Sequence, residues 1–302
     1  MSQNAIEIKG LSYSFGRVPI LNNLNLTVPK GTIFGFLGQN GAGKTTSLRL
    51  LTGLLVAPNN TIFINGKELN GHRTELMNCM GSLIGTPSAY PKLSAKQHIS
   101  YWCKLYAKSL AEGEELLKQV SLWEDRNKKV KNFSTGMVQR LNIAYVLLRN
   151  PDIILLDEPF NGLDPEGVYL LKNILTKWHD EKKTILCSSH ILSEMEQFCS
   201  HIAILDRGKV RYQGSLDELL LDQTRLLEIT THQVDLAIEV LNESGFTPFA
   251  KQSNLSIPFN DTDELNKILH ILITNGVVLE GIYEYKTSLE NRYINILNEQ
   301  TI

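Results

Sequence analysis

Long apolar segments are missing from this chain of 302 residues, in which no run approaches the roughly 18–20 apolar residues that a membrane-spanning helix needs. Any role at a membrane would therefore depend on a partner protein. Residues 1–10 contain no apolar signal-peptide core, so no secretory leader is predicted there. The chain also lacks internal repeats and low-complexity tracts, which argues against a solenoid or a disordered protein.

Cysteine and unbalanced charge are also scarce. The 4 cysteines are scattered without C-x-x-C spacing, which argues against a zinc site or disulfide framework and fits a reduced, cytosolic chain. With 30 basic and 32 acidic side chains the net charge is −2, so no global basic field attracts nucleic acid or anionic lipid. We therefore expect no nucleic-acid partner. A hydrophobic content of 42 % is ordinary for a globular protein, and the length allows two domains.

The segment Gly38–Thr46 (GQNGAGKTT) carries the clearest functional pattern. A strand-like apolar stretch leads into it and a helical pattern follows it, which is the context that a phosphate-binding P-loop requires. Glycines let backbone N–H groups converge on phosphates, with the positive end of the helix dipole behind them. Lys44 is then predicted to reach the β- and γ-phosphates, and the Thr45 hydroxyl to bind Mg²⁺. A plain glycine-rich turn is the alternative.

Two further segments end in polar residues at what we expect to be one edge of a parallel sheet. The apolar run Ile153–Leu156 is typical of a buried strand and ends in Asp157 and Glu158. Beside a P-loop, Asp157 would bind Mg²⁺ and Glu158 would polarise the attacking water. Thr184–Ser189 is also strand-like, and His190 after it is a candidate contact for the γ-phosphate. The alternatives are a solvated acidic turn and a structural histidine.

Two aromatic residues lie upstream of the P-loop. Phe15 precedes a turn, where its ring could either stack on an adenine or pack as a core aromatic at a strand end. Tyr13 lies on the same face of the extended segment and is the competing stacking residue.

A helix is predicted over Met137–Leu148. Ser134 or Thr135 is the expected N-cap, because short hydroxyl side chains satisfy the free N–H groups at a helix start.

The chain divides into two predicted domains, residues 1–222 and 223–302. The first contains strands over residues 4–28, a hairpin around Thr61–Ile64 and a mainly helical subdomain over about residues 75–150. The second alternates strands and helices in the order β-α-β-β-α-β, with its last strand over Val277–Tyr285, and ends in a helix over Ser288–Asn298. That order predicts a small α+β, ferredoxin-like accessory domain.

With these elements in order, residues 4–220 resemble the ATP-binding subunit of an ABC transporter. Gly38–Thr46 matches the Walker A motif, and Ile153–Glu158 matches Walker B with its catalytic glutamate. Phe133–Met137 resembles the signature motif in the form seen in ABC-2 type exporters, and Asn161–Asp164 resembles the D-loop. Generic P-loop proteins lack the signature motif. The ABC-2 group includes the bacitracin- and lantibiotic-resistance exporters.

The resemblance assigns roles to individual residues. Phe15 falls on the A-loop aromatic, which favours it over Tyr13, and His190 falls on the switch histidine. The implied ATP contacts are Phe15, Gly38, Gln39, Asn40, Gly41, Ala42, Gly43, Lys44, Thr45 and Thr46. The implied catalytic residues are Lys44, Glu158 and His190, and the implied Mg²⁺ ligands are Thr45 and Asp157.

The resemblance also implies the architecture and the partners. It predicts an α/β fold with a P-loop NTPase (RecA-like) core, an antiparallel β subdomain and an α-helical subdomain. Two ATP-binding subunits, either two copies of this chain or this chain and a paralogue, would pair head to tail. The signature residues Ser134, Thr135, Gly136 and Met137 would then face the γ-phosphate of the partner's ATP, with Asp164 in the D-loop. An integral membrane permease would hold the pair at the cytoplasmic face of the membrane.

One position departs from the family pattern. The Q-loop usually carries Gln, or Glu in the bacitracin and lantibiotic group, but Gly85 stands there and has no side chain to contact Mg²⁺ or water. Thr86–Tyr90 and Pro91–Ser94 remain the expected surface for the membrane subunit. Near the C-terminus, Ser288–Tyr293 resembles a variant of the Leu-Glu-Asp-x-Phe helix that ends many ABC-2 subunits.

The expected function is that of a Mg²⁺-dependent ATPase subunit of an ABC-2 type exporter, with peptide antibiotics as the more specific cargo. A nucleotide-dependent clamp that hydrolyses ATP poorly is the main alternative, because of Gly85. A soluble ABC protein of translation or DNA repair fits less well, since the chain has one cassette and no long coiled coil.

Overall fold

The computed structural model describes residues 3–85, 89–221, 225–251, 254–285 and 288–298. Within these ranges the strands are β1 (Asn4–Phe15), β2 (Val18–Pro29), β3 (Ile33–Leu37), β4 (Ile62–Ile64), β5 (Lys67–Glu68), β6 (Met80–Leu83), β7 (Ile153–Asp157), β8 (Thr184–Ser189), β9 (His201–Asp206), β10 (Lys209–Ser215), β11 (Arg225–Thr230), β12 (Phe249–Lys251), β13 (Asn254–Phe259) and β14 (Gly281–Tyr285). The helices are α1 (Lys44–Leu51), α2 (Arg73–Asn78), α3 (Ala95–Leu105), α4 (Leu110–Gln119), α5 (Thr135–Leu148), α6 (Pro165–Asp180), α7 (Leu192–Glu196), α8 (Leu216–Leu221), α9 (Val234–Glu243), α10 (Thr262–Thr274) and α11 (Leu289–Asn298).

The chain forms two compact units. The first comprises the residues up to Asp217 together with those from Tyr293 onward, and the second comprises Glu218–Arg292. This division lies a few residues before the predicted boundary at 222/223. It also differs from the prediction at the C-terminus, because the residues from Tyr293 onward belong to the first unit and not to the accessory domain.

A six-stranded sheet forms the centre of the first unit, in the order β10-β9-β3-β8-β7-β6. The strands β9, β3, β8, β7 and β6 run parallel to their neighbours, and β10 pairs antiparallel to β9 at one edge. The carboxyl ends of parallel strands meet at one edge of a sheet, where α/β proteins bind their ligands. The P-loop and His190 follow β3 and β8, and Asp157 ends β7, so the topology brings all three to that edge.

Strand β6 lies within the stretch of residues 75–150 that the sequence pattern predicted as mainly helical. Met80–Leu83 pairs in parallel with β7 at the sheet edge. Gly81 permits this close packing, because a Cβ atom there would lie 2.6 Å from Pro151 Cγ and 2.9 Å from Val146 Cγ1. The helical subdomain therefore begins after β6, with α3.

A second, antiparallel sheet in the first unit has the order β2-β1-β4-β5. It contains both predicted β features of this region, the long strand pair and the hairpin at residues 62–68. Its buried face shares a hydrophobic core with the parallel sheet and α1, which includes Leu24, Phe34, Leu48 and Leu155. The sheet is the predicted antiparallel β subdomain.

Helices α3, α4 and α5 form the helical region, and their starting residues are well capped. Ser94 and Ser109 each form a reciprocal capping box with the residue three positions later. Ser134 is the N-cap of α5, where its hydroxyl accepts a hydrogen bond from Met137 N at 3.2 Å. Of the two capping residues that the sequence left open, the structure selects Ser134.

The second unit is a four-stranded antiparallel sheet in the order β12-β13-β11-β14 with helices α9 and α10. The first and third strands of the unit lie at the centre, as the ferredoxin-like prediction requires. Its own hydrophobic core includes Ile229, Leu241, Ile257 and Leu272. The last strand is shorter than predicted and begins at Gly281, whereas Val277 is buried in this core.

Candidate nucleotide site

The P-loop joins β3 to α1 and its lysine is almost fully buried. Lys44 is 5 % exposed, and its ammonium donates hydrogen bonds to Gly38 O at 2.6 Å and Gln39 O at 3.3 Å. Gly43 is the N-cap of α1 and has φ +113°, a left-handed conformation that favours glycine. A Cβ at Gly38 would lie 2.5 Å from Leu205 O, so only glycine fits against β9. The loop has the close-packed, glycine-dependent backbone that was predicted for a phosphate cradle.

The two predicted Mg²⁺ ligands contact each other. Thr45 Oγ1 donates a hydrogen bond to Asp157 Oδ2 at 2.9 Å, which brings the start of α1 to the end of β7. The other carboxylate oxygen of Asp157 accepts a hydrogen bond from Ser188 Oγ at 2.6 Å. Asp157 and Ser188 are buried. A hydroxyl and a carboxylate in this arrangement are the hard oxygen ligands that Mg²⁺ prefers, so the residues fit this ion.

Glu158 lies between the P-loop lysine and the predicted switch histidine. Its Oε1 is 3.2 Å from Lys44 Nζ, and its Oε2 is 2.8 Å from His190 Nδ1. Its backbone has φ +48°, and its N–H donates to Ser188 O and Oγ, both at 3.1 Å. The carboxylate is therefore fixed at the sheet edge with one basic side chain on each oxygen.

The signature segment begins α5 and contacts the loop after β7. Thr135 lies against Gly162, since its Cγ2 is 3.0 Å from where a Cβ of that glycine would be. Gln139 is buried, and its Nε2 donates a hydrogen bond to Pro159 O at 3.1 Å. Ser134, Thr135, Gly136 and Met137 thus occupy the first turn of a helix whose position is tied to the segment after Glu158.

A cavity of about 400 Å³ connects several of these groups. Its lining residues are Thr45, Gly85, Thr135, Gln139, Asp157, Glu158, Asn161 and Gly162. Gly85 therefore faces the predicted Mg²⁺ ligands, as a Q-loop residue should. Its φ of +79° favours glycine, and among the described residues a Cβ there would come no closer than 3.9 Å to a neighbouring atom, Arg49 Nη2. Residues 86–88 of the predicted membrane-subunit surface lie outside the described part of the chain.

The remaining predicted residues lie at strand and helix ends. Phe15 ends β1, and its ring is 47 % exposed and packs edge-to-face on Tyr13 at 5.3 Å. Tyr13 is partly buried against the core, so Phe15 is the more accessible ring of the two. Asp164 caps α6, where it accepts a hydrogen bond from Gly167 N at 2.9 Å.

The comparisons with known proteins agree with this geometry. Residues 21–161 match the family model described as ABC transporter. The bacitracin transport ATP-binding protein of Bacillus licheniformis is 32 % identical, and the alignment covers 98 % of this chain and 98 % of the relative. The bacitracin transport ATP-binding protein of Enterococcus faecalis is 30 % identical, over 97 % of this chain and 96 % of the relative. The lantibiotic transport ATP-binding protein of Streptococcus pyogenes is 39 % identical over 72 % of this chain and 96 % of its own.

The chain belongs to the ABC transporter family. It is similar to ATP-binding proteins named for bacitracin and lantibiotic transport, which confirms the resemblance drawn from the motifs.

Solved ABC structures share the fold over about 70 % of the chain. The structure of an ABC transporter ATP-binding subunit aligns with a TM-score of 0.65 and 30 % identity, over 71 % of this chain and 91 % of its own. A dimeric ATP-binding cassette bound to ADP and Pi aligns with a TM-score of 0.63 and 24 % identity, over 70 % of this chain and 98 % of its own. The α/β P-loop prediction is confirmed. Among the described residues, no helix has the length and apolar character to cross a bilayer.

Sequence reasoning assigned no contact to two residues that organise this ABC site. Ser188 contacts both Asp157 and Glu158, and Gln139 connects α5 to the loop after β7. The polar end of the otherwise apolar strand β8 is a signal for Ser188, since a buried serine needs a polar partner. Gln139 follows the signature segment and, with Arg140 and Leu141, is part of the same motif resemblance, which is the signal that marks it.

Proposed function

We propose that this chain hydrolyses ATP and couples the reaction to export by a separate membrane subunit of the ABC-2 type. One observation carries the proposal: the Glu158 carboxylate is held by Lys44 and His190 at the same sheet edge as the Asp157–Thr45 pair. A carboxylate in this position serves as the group that accepts a proton from an attacking water.

Each of these side chains has a distinct task. Lys44 supplies a buried positive charge for the phosphates, and the amides of the glycine-rich loop supply further donors. His190 orients Glu158 through its Nδ1 atom. Thr45 and Asp157 would hold Mg²⁺, which supplies charge neutralisation at the phosphate oxygens when bound. Phe15, with its exposed ring, would stack on the adenine.

The functional form is a pair of ATP-binding subunits. The first turn of α5 offers the Ser134 hydroxyl and a helix N-terminus, which suit the γ-phosphate of a nucleotide bound by the other subunit. Asp164 would lie at the interface through the D-loop. The chain has one copy of each motif, so a second subunit, identical or paralogous, is required.

A groove in the helical region is the proposed dock for the membrane subunit. A cavity of about 500 Å³ is lined by aromatic and apolar residues that include Tyr90, Tyr101, Trp102 and Leu105. Tyr90, Tyr101 and Leu105 are more than half exposed, which is unusual for large apolar side chains unless they meet a partner. The groove adjoins Pro91–Ser94, the surface predicted from the sequence. The chain would accordingly act at the cytoplasmic face of the membrane.

Peptide antibiotics are the proposed cargo. The relatives named for bacitracin transport align over nearly the whole chain, including the second unit. A related alternative is a clamp that binds ATP and hydrolyses it weakly, which Gly85 favours because it places no side chain in the cavity.

The test is Mg²⁺-dependent ATP turnover of the purified chain, with sizing chromatography in the presence of ATP. Glu158→Gln should abolish turnover and trap an ATP-bound dimer, while the control Glu181→Gln, an exposed carboxylate at the end of α6, should behave as wild type. Turnover that survives in Glu158→Gln would refute the assigned role. ATP-dependent dimerisation without turnover in the wild type would favour the clamp.

A further inference from the structure

Tyr293 lies against the P-loop although it is remote from it in sequence. It belongs to the first unit and is only 8 % exposed. Together with P-loop and switch residues it lines a cavity of about 250 Å³. The cavity residues are Gly38, Gln39, Asn40, His190, Leu192 and Tyr293. None of the ATP-site assignments above includes this tyrosine.

The hydroxyl of Tyr293 has polar neighbours in this buried position. The backbone amide of Gln39 interacts with it, and the carboxylate of Asp206 lies close enough to repel a phenolate. Burial, followed by that carboxylate, raises the pKa of Tyr293 above its usual value. Asp206 forms a salt bridge with Arg211, whose Nη2 lies 3.0 Å from Asp206 Oδ2. Tyr293 is therefore a neutral phenol at physiological pH, buried beside the loop.

The contacted backbone also holds the catalytic lysine. Lys44 donates to the carbonyls of Gly38 and Gln39, the two residues that begin the stretch facing Tyr293. The same loop contains two left-handed glycines, Gly41 and Gly43, and glycine has the largest conformational freedom to lose on ordering. Contacts from outside the loop can therefore help to keep it in one conformation before a ligand arrives.

We propose that Tyr293 is a positioning residue for ATP binding, which holds residues 38–40 of the P-loop in the conformation that receives the nucleotide phosphates. The inference rests on ATP binding at this loop. A preorganised loop lowers the free-energy cost of binding ATP in the ground state and in the transition state alike. Loss of this preorganisation should therefore raise Kd and KM more than it lowers kcat.

The experiment measures the affinity of the full-length chain for a fluorescent ATP analogue with Mg²⁺, together with KM and kcat for ATP. Tyr293→Phe keeps the ring and should raise Kd and KM about threefold, since it removes one neutral hydrogen-bonding group. Tyr293→Leu removes the ring, keeps an apolar side chain in the buried site, and should raise both roughly tenfold, with kcat within about twofold of wild type. Tyr283→Leu, on an exposed tyrosine of β14, is the matched control.

Hydrogen exchange separates positioning from general stability. In Tyr293→Leu, the amides of residues 38–40 should exchange faster while the strands of the parallel sheet stay protected. If Tyr293→Leu binds the analogue within twofold of wild type, the inference is wrong, even if its melting temperature has fallen. If the wild-type chain itself fails to bind ATP, the proposed function fails and the inference fails with it.

Discussion

The hydroxyl of Ser188 donates a 2.6 Å hydrogen bond to Asp157 and also accepts one from the backbone N–H of Glu158. One buried side chain on β8 therefore fixes both acidic residues at the end of β7. The two carboxylates point to different partners, Asp157 to Thr45 and Glu158 to Lys44 and His190. This serine therefore helps to keep Asp157 beside the predicted Mg²⁺ ligand Thr45 and Glu158 beside Lys44 and His190.

Ser188→Ala should lower ATP turnover by about ten- to a hundredfold. A hydrogen bond to a charged group contributes about 1.5–3 kcal/mol, and the variant removes one from the Asp157 carboxylate. The Mg²⁺ concentration for half-maximal turnover should rise as well, which a metal titration of the ATPase rate measures. Ser256→Ala, at a buried serine in the sheet of the second unit, is the control. Unchanged Mg²⁺ dependence in Ser188→Ala would contradict this role.

We expect His98 to make the stability of the helical region pH-dependent. Its Nε2 accepts the N–H of Tyr90 at 2.9 Å and its Nδ1 contacts Ser94 O at 2.9 Å, so the neutral ring satisfies both groups when Nδ1 carries the proton. Burial lowers the pKa of His98 below 6.5. As the pH falls below about 6.5, His98 binds a proton more readily in the unfolded chain than in the folded chain. The free energy of unfolding therefore decreases.

The predicted slope is up to about 1.4 kcal/mol per pH unit between pH 6.5 and the lowered pKa of His98. Urea unfolding at several pH values measures it. His98→Gln should flatten the profile in this window, whereas His270→Gln, on an exposed histidine of α10, should leave it unchanged. A profile that His98→Gln does not alter would exclude this histidine as the source.

Gly38→Ala should abolish ATP binding and lower the stability of the first unit. The added Cβ would lie 2.5 Å from Leu205 O, a backbone atom that cannot rotate away, so the loop must shift. Overpacking of this kind costs about 1–3 kcal/mol. Thermal unfolding and ATP affinity measure the two effects. Gly16→Ala is the comparison variant, because Gly16 also has a positive φ but open space around an added Cβ. This variant should bind ATP normally.

Gly85→Gln should increase ATP turnover severalfold if the empty Q-loop position limits hydrolysis, as the clamp alternative supposes. The new amide would enter the cavity that Asp157 and Glu158 line, where it can orient water. The left-handed backbone at Gly85 costs about 1 kcal/mol for any other residue, so a small loss in melting temperature is expected. Gly85→Ala has the same backbone cost without the amide. Equal turnover in both variants would show that this position does not limit hydrolysis.

Much of the fold followed from local patterns in the sequence. The P-loop, the buried strand before Asp157 and the β-α-β-β-α-β order of the second unit each have a strong periodic or turn signal, and the structure contains all three. Strand β6 escaped prediction because four residues at a sheet edge are too short for a clear period, and Gly81 looked like a helix stop.

The predicted site residues came from motifs, whereas the contacts that hold them did not. Lys44, Asp157 and Glu158 are chemically conspicuous and lie at strand or helix ends. Ser188 and Tyr293 act through contacts between residues that are far apart in the chain. Ser188, for example, lies 31 positions from Asp157. No local pattern predicts such a contact, because it depends on strand order and on the path of the chain after the second unit.

The division of the chain has a practical consequence for deletion experiments. Because the first unit resumes at Tyr293, a truncation after Asp217 removes the last part of the ATP-binding unit together with the whole second unit. Loss of activity in such a truncation would not assign a role to residues 218–292. An internal deletion that keeps the chain from Tyr293 onward is the form in which the contribution of the second unit can be measured separately.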